Sequence, residues 1–146
     1  MNLRFKQIDI ENFRSIKKAK VDLENQGTVI VKGINEYEDK ATSNGSGKSS
    51  VFEAIIFALF EETSSGEKDV ANRIINDGYT IILEFEIDGV NYKIQRQCKG
   101  NKTSVVLYKD GLDISARNKT DTNKSLTPNS PISLFPIILN KTKNKK

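Results

Sequence analysis

The chain has 146 residues, enough for one hydrophobic core and hence one domain or part of one. It has no histidine and one cysteine, Cys98, which excludes an internal disulfide, removes the commonest general base and argues against a structural zinc site. A formal charge of +4 permits contact with nucleic acid without requiring it.

The composition, 36% hydrophobic and 29% charged, is that of a globular, soluble body. No apolar run approaches the ~18 residues of a membrane span, and Met1 to Glu11 alternates where a signal peptide would be continuously apolar. The expectation is a cytoplasmic protein with no membrane partner. A lone Cys98 suits a reducing compartment and reads as a small, half-buried hydrophobe.

The alternating stretch carrying Leu3, Phe5, Ile8 and Ile10 predicts a first strand, followed by a turn at Asn12-Phe13-Arg14-Ser15. Lys20 to Leu23 predicts a second short strand. Thr28 to Lys32 predicts a third, after the turn Asn25-Gln26-Gly27.

Next comes Asn44-Gly45-Ser46-Gly47-Lys48-Ser49-Ser50. Glycines let backbone N–H groups close around phosphate oxygens. A lysine reaches the β- and γ-phosphates as a point charge, and a hydroxyl at Ser49 is placed to ligate Mg²⁺. The apolar run Val51 to Phe60 predicts a helix whose N-terminus faces the same anion. The strict pattern G-x-x-x-x-G-K-[ST] would need glycine at Thr42. It is satisfied if Gly33 is the first glycine and Asn35 to Ser43 are an insertion. Closing the longer loop costs only about 1 kcal/mol. That helix is apolar on every face, with Glu53 its only interior charge, so it is expected to be enclosed on more than one side.

After a break at Ser64-Ser65-Gly66, Glu67 to Ile75 predicts a short helix. Two alternating runs then flank Asp88-Gly89, a two-residue hairpin turn. Folding there pairs Ile87 with Val90, Phe85 with Tyr92 and Leu83 with Ile94 on one face, and Glu84 with Lys93 on the other. Thr103 to Tyr108 predicts a further strand, and Asp110-Gly111 a tight turn into Leu112 to Ile114. From Asn118 the chain turns polar, holds all three prolines and ends in lysines. Residues 118–146 are therefore expected to be a poorly ordered tail, and removing 126–146 to change thermal stability little.

Three stretches together resemble the amino-terminal ATPase segment of the SMC and SbcC-type DNA repair proteins. They are Ile8 to Ile16 with its N-F-R-S turn, Asn44 to Ser50 followed by Phe52-Glu53-Ala54-Ile55, and Arg73 to Gly78 followed by Leu83 to Arg96. The insertion after Gly33 is similar to versions carried by some bacteriophages. The resemblance covers residues 1 to about 117.

It implies an α/β fold: a partial ABC/SMC-type P-loop NTPase head of the AAA kind, β-rich, with one buried P-loop helix and an antiparallel hairpin lobe. The domain would be residues 1–117, with a loop insertion at 34–43 and the β lobe at 79–115. ATP and Mg²⁺ are the implied cofactors. Gly33, Asn44, Gly45, Ser46, Gly47, Lys48, Ser49 and Ser50 would hold the nucleotide, Ser49 the metal, and Arg14 and Ser15 would lie beside it. Lys93, Arg96, Lys99 and Lys102 on the lobe would meet DNA phosphates.

The implied partners are a complementary carboxyl-terminal ATPase half or second head, DNA, and an SbcD-type nuclease. The family supplies its hydrolytic carboxylates, signature loop and switch histidine from elsewhere, and no matching residues occur here. No catalytic residue is therefore assigned, and no appreciable hydrolysis is expected from this stretch alone; it reads as a truncated head. Two other readings stand beside this one. One is a non-enzymatic DNA- or partner-binding module with a vestigial P-loop. The other is a P-loop ATPase of the RecF or OLD-nuclease kind.

Overall fold

A computed structural model describes residues 2–28, 47–66, 70–71 and 78–126. Among them six strands run as β1 (Leu3–Phe13), β2 (Ile16–Asp22), β3 (Tyr79–Ile87), β4 (Val90–Lys99), β5 (Lys102–Lys109) and β6 (Leu112–Asp113). They form one antiparallel sheet in the order β2-β1-β3-β4-β5-β6. Two helices accompany it, α1 (Lys48–Phe60) and α2 (Lys119–Ser125).

Alternation decides which face is buried. Ile8 and Ile10 of β1, Ile81, Leu83 and Phe85 of β3, Ile94 of β4 and Leu107 of β5 are all at most 2% exposed. They share one face because their ladder partners are one another: Ile8 with Leu83, Leu83 with Ile94, Ile94 with Leu107. Fully burying each such side chain stabilises the fold by about 1.5–3 kcal/mol. The β3–β4 register matches the sequence reading pair for pair, with Ile87 opposite Val90, Phe85 opposite Tyr92, Leu83 opposite Ile94, and Glu84 opposite Lys93.

The hairpin strands do not stand apart from the amino-terminal strands, because β3 pairs along most of its length with β1. One bulge, between Phe5 and Gln7, interrupts that pairing. Lys6 falls in it, and its Nζ reaches Glu86 at 3.2 Å and Asn91 Oδ1 at 2.7 Å.

α1 lies on the buried face. Ala54, Phe57, Ala58 and Leu59 are buried, while Phe52 is 57% exposed. Its enclosure is thus one-sided, although its sequence is apolar all round. Phe57 is central: its ring centroid lies 5.6 Å from that of Phe13 and 5.4 Å from that of Tyr79. This aromatic row ties the end of β1 to the helix and to the start of β3.

Several expectations change. β1 continues through Phe13, which is fully buried, so the turn narrows to Arg14-Ser15, and β2 is longer than Lys20 to Leu23. At Val70–Ala71, inside the stretch expected to be helical, the backbone is extended: Ala71 bridges Phe13, and Arg14 N–H donates to Val70 O at 2.7 Å. The rest of 67–77, the strand expected at Thr28 to Lys32 (beyond Thr28 itself) and the insertion at 34–43 lie outside the described residues.

The tail expected to begin at 118 begins instead with α2. Asn118 caps it by accepting from Asp121 N–H at 2.9 Å. Thr122 and Leu126 are 1% and 2% exposed, so order extends at least to Leu126; residues 127–146 lie outside the described set.

Candidate functional site

The candidate site is the N-terminus of α1. Gly47 is its N-cap, at φ 82° and ψ 4°, in the left-handed region that glycine enters without a Cβ penalty. No side chain caps this terminus, and no acidic residue occupies the first turn, among the described residues. A helix start with that character presents backbone donors and a partial positive charge to an anion, with no carboxylate in competition. Lys48 is half-buried, Ser49 exposed and Ser50 buried. Gly33, Asn44, Gly45 and Ser46 lie outside the described residues.

The turn between β1 and β2 sits directly against this helix start. Ser15 Oγ and Ser50 Oγ lie 2.9 Å apart. A Cβ built on Gly47 would stand 3.4 Å from Ser15 Oγ and 3.5 Å from Ile16 Cγ1, so even a methyl group there would touch the turn. Asn12 and Arg14 both have positive φ, 54° and 51°. Asparagine tolerates that region; arginine does so at a cost of about 1–2 kcal/mol. The Arg14 N–H bond to Val70 O and the burial of Phe13 and Ile16 on either side hold the turn there. The sequence-predicted Arg14, Ser15, Gly47, Lys48, Ser49 and Ser50 are therefore brought together.

The residues fit a nucleotide triphosphate with Mg²⁺. The left-handed glycine, the uncapped N-terminus and the hydroxyl of Ser49 next to Lys48 are the donor set such a group takes.

Arg96 does not belong among the DNA-facing residues. It is 2% exposed and points inward on the row of Tyr92 and Ile94. Its Nε donates to Ala58 O at 2.5 Å, its Nη2 to Leu59 O at 3.3 Å and its Nη1 to Asn123 Oδ1 at 2.9 Å. A guanidinium so enclosed cannot reach a phosphate. Glu61, the C-cap of α1 at φ 62°, lies 3.7 Å from Nη1 and accepts from Asn123 Nδ2 at 2.5 Å and from Lys119. Burial pushes the Glu61 carboxyl up, but the hydrogen bonds from Lys119 and Asn123 and the charges of Lys119 and Arg96 outweigh it and hold the group below the usual carboxylate range.

Lys93 lies on the opposite face, 4.7 Å above the Tyr108 ring and across from Glu84. Lys99 and Lys102 face each other at the exposed tip of the β4–β5 hairpin.

A sheet carrying a glycine-capped helix, with the N-F-R-S turn folded onto the helix start, is a partial P-loop ATPase fold of the RecF/Rad50 type. A sequence profile described as an AAA domain matches residues 7–145, and the chain belongs to that family. It is 36% identical over 82% of its length to the DNA double-strand break repair Rad50 ATPase of Methanocaldococcus jannaschii, covering 11% of that protein. It is 32% identical over 83% of its length to the same ATPase of Methanococcus maripaludis, again covering 11%. Among solved structures, it resembles that of the recombination mediator protein RecF-ATP in the RecFOR pathway, with a TM-score of 0.50 and 20% identity over 80% of this chain and 29% of the other. The chain spans about a tenth of the length of the curated relatives it matches. It is an amino-terminal SMC/Rad50-type ATPase segment.

Proposed function

We propose that this chain is the ATP-binding half of an SbcC/SMC-like ATPase that acts in DNA double-strand break repair or recombination. The observation that carries the reading is the αL Gly47 at the start of α1 with the Arg14-Ser15 turn bonded to Ser50 beside it. In this reading Asn44 to Ser50 and Gly33 surround the phosphates, Lys48 neutralises the β- and γ-phosphates, and Ser49 ligates Mg²⁺. Mg²⁺, when bound, would neutralise charge on the phosphates.

Hydrolysis also needs carboxylates that hold Mg²⁺ and orient the attacking water. A complementary carboxyl-terminal half or second head supplies them in this reading, and an SbcD-type nuclease is the working partner. No helix among the described residues is long and apolar enough to cross a membrane; a cytoplasmic site of action is part of the proposal. The similarity to the bacteriophage-type insertion makes a phage-encoded version part of the same proposal.

The test is thermal melting of the 146-residue chain with and without Mg-ATP, repeated on Lys48→Ala. Ligand at a hundred times its dissociation constant adds about 2.7 kcal/mol, a shift of several degrees. A shift in the wild type that disappears in Lys48→Ala supports the phosphate site. No shift in a cooperatively melting chain overturns it.

The second reading, a DNA- or partner-binding module, draws on the Lys99–Lys102 pair. Like charges directly opposite destabilise a ladder, and here both are exposed at a hairpin tip, where an anion would relieve them. DNA binding that weakens with salt, is lost in Lys99→Glu/Lys102→Glu and is the same with and without Mg-ATP would favour that reading.

A further inference from the structure

The phosphate site occupies one end of α1; the other end is held by a side chain from a distant strand. Helices usually end in water, a glycine cap or a cation on the last turn. α1 has no basic residue in its own last turn. Its C-terminal carbonyls at Ala58 and Leu59 are instead taken by Arg96 of β4, 37 to 38 positions later in the chain. Arg96 is in turn fixed by Asn123 of α2 and faces Glu61, so three elements close on one guanidinium. Because β4 is paired on both sides, by β3 and β5, this anchor moves only with the sheet.

The geometry points to Arg96 as a positioning residue for the nucleotide site: it fixes α1 along its axis so that Gly47 to Ser50 meet the Arg14-Ser15 turn. The inference rests on the ATP-site reading above. A 13-residue helix is about 20 Å long and transmits a shift at one end to the other as a rod. At the far end the Ser15–Ser50 hydroxyl pair joins the helix start to the β1–β2 turn, and a Cβ added at Gly47 would touch that turn. Without Arg96, two carbonyls and the Glu61 carboxylate lose a buried cationic partner, and the helix is free to settle in a new position against the sheet. Lysine keeps the charge but not the planar fork that reaches Ala58 O and Leu59 O together.

The test uses the 146-residue chain and its Arg96→Lys, Arg96→Met and Asn123→Ala variants. Calorimetric titration with Mg-ATP is run well below each variant's melting temperature, with amide NMR shifts recorded at Gly47, Lys48, Ser49 and Ser50. The expected result is about tenfold weaker Mg-ATP binding in Arg96→Lys, and weaker still in Arg96→Met, with the four amides displaced in the absence of ligand. Asn123→Ala, which leaves the guanidinium on its carbonyls, keeps the inference testable if the Arg96 variants do not fold. It is expected to displace the same amides to a lesser degree. A lower melting temperature with unchanged affinity and unmoved amides would give Arg96 a purely structural role and overturn the inference. Absence of Mg-ATP binding in a folded wild-type chain would overturn the ATP-site reading itself, and the inference with it.

Discussion

Ser15 Oγ lies 2.9 Å from Ser50 Oγ across 35 positions of sequence, joining the β1–β2 turn to the residue that follows Lys48-Ser49. Ser50 is 8% exposed, so its hydroxyl has little water to turn to if the partner is lost. Ser15→Ala and Ser50→Ala are each expected to cost about 1 kcal/mol, with a coupling energy of similar size in the double-mutant cycle. Urea denaturation of the four proteins measures this. Additive losses would show that the two hydroxyls do not support each other.

Gly78 offers a sharper contrast, because two costs can be separated there. It has φ +82°, and a Cβ on it would stand 1.8 Å from Cys98 O and 2.7 Å from Cys98 C, both backbone atoms within the β3–β4 ladder region. Gly89, at φ +84°, has nothing within 4 Å. Gly89→Ala is expected to lose about 1–2 kcal/mol from the left-handed backbone alone. Gly78→Ala is expected to lose about 3 kcal/mol or more, since strand backbone must move as well. Equal losses at the two sites, read from denaturant midpoints, would mean that the contact with Cys98 is easily relaxed.

The same strands show how far the sequence is legible. The β3–β4 register follows from local alternation around Asp88-Gly89, where turn chemistry and burial agree. Arg96 was open to the same logic: it continues the inward row Tyr92, Ile94, and that parity outweighs its charge. The capping pair Asn118 and Asp121 announces α2 in a stretch whose polar composition suggests a loop. What alternation does not show is which strand lies beside β3. Its pairing with β1 joins Leu3 to Ile87 and Ile10 to Ile81, and nothing local in either strand names the other. The contact between Ser15 and Ser50 is equally non-local, and only the family resemblance placed those residues together.

Glu61 gives a pH dependence with a definite sign. Its carboxyl is held below the ordinary value of 4.5 in the folded chain, with Lys119 and Asn123 outweighing burial. Its contribution to stability is therefore fully present above about pH 4.5 and is lost as pH falls through the lower folded value. The side chain is partly solvated, so solvent screening limits the effect to about 1 kcal/mol or less. Wild type and Glu61→Gln, melted at a series of pH values from 7 down to about 3, are expected to converge as the pH falls. A stability difference that stays constant across that range would mean that the carboxylate charge contributes nothing.

Leu126, the last described residue, belongs to the core. It is 2% exposed, and Thr122, one turn before it, is 1% exposed and donates to Asn118 O at 3.0 Å. Removing residues 126–146 therefore takes a core side chain with it, and a small effect on stability is no longer expected. Leu126→Ala alone is expected to cost about 2–4 kcal/mol through lost burial and the cavity left between α2 and the sheet. The same substitution also loosens the seat of Asn123, which holds Arg96 Nη1 and Glu61. Its melting temperature is the measurement, compared with a chain ending at residue 126. A harmless Leu126→Ala would show that α2 does not seal this edge of the core.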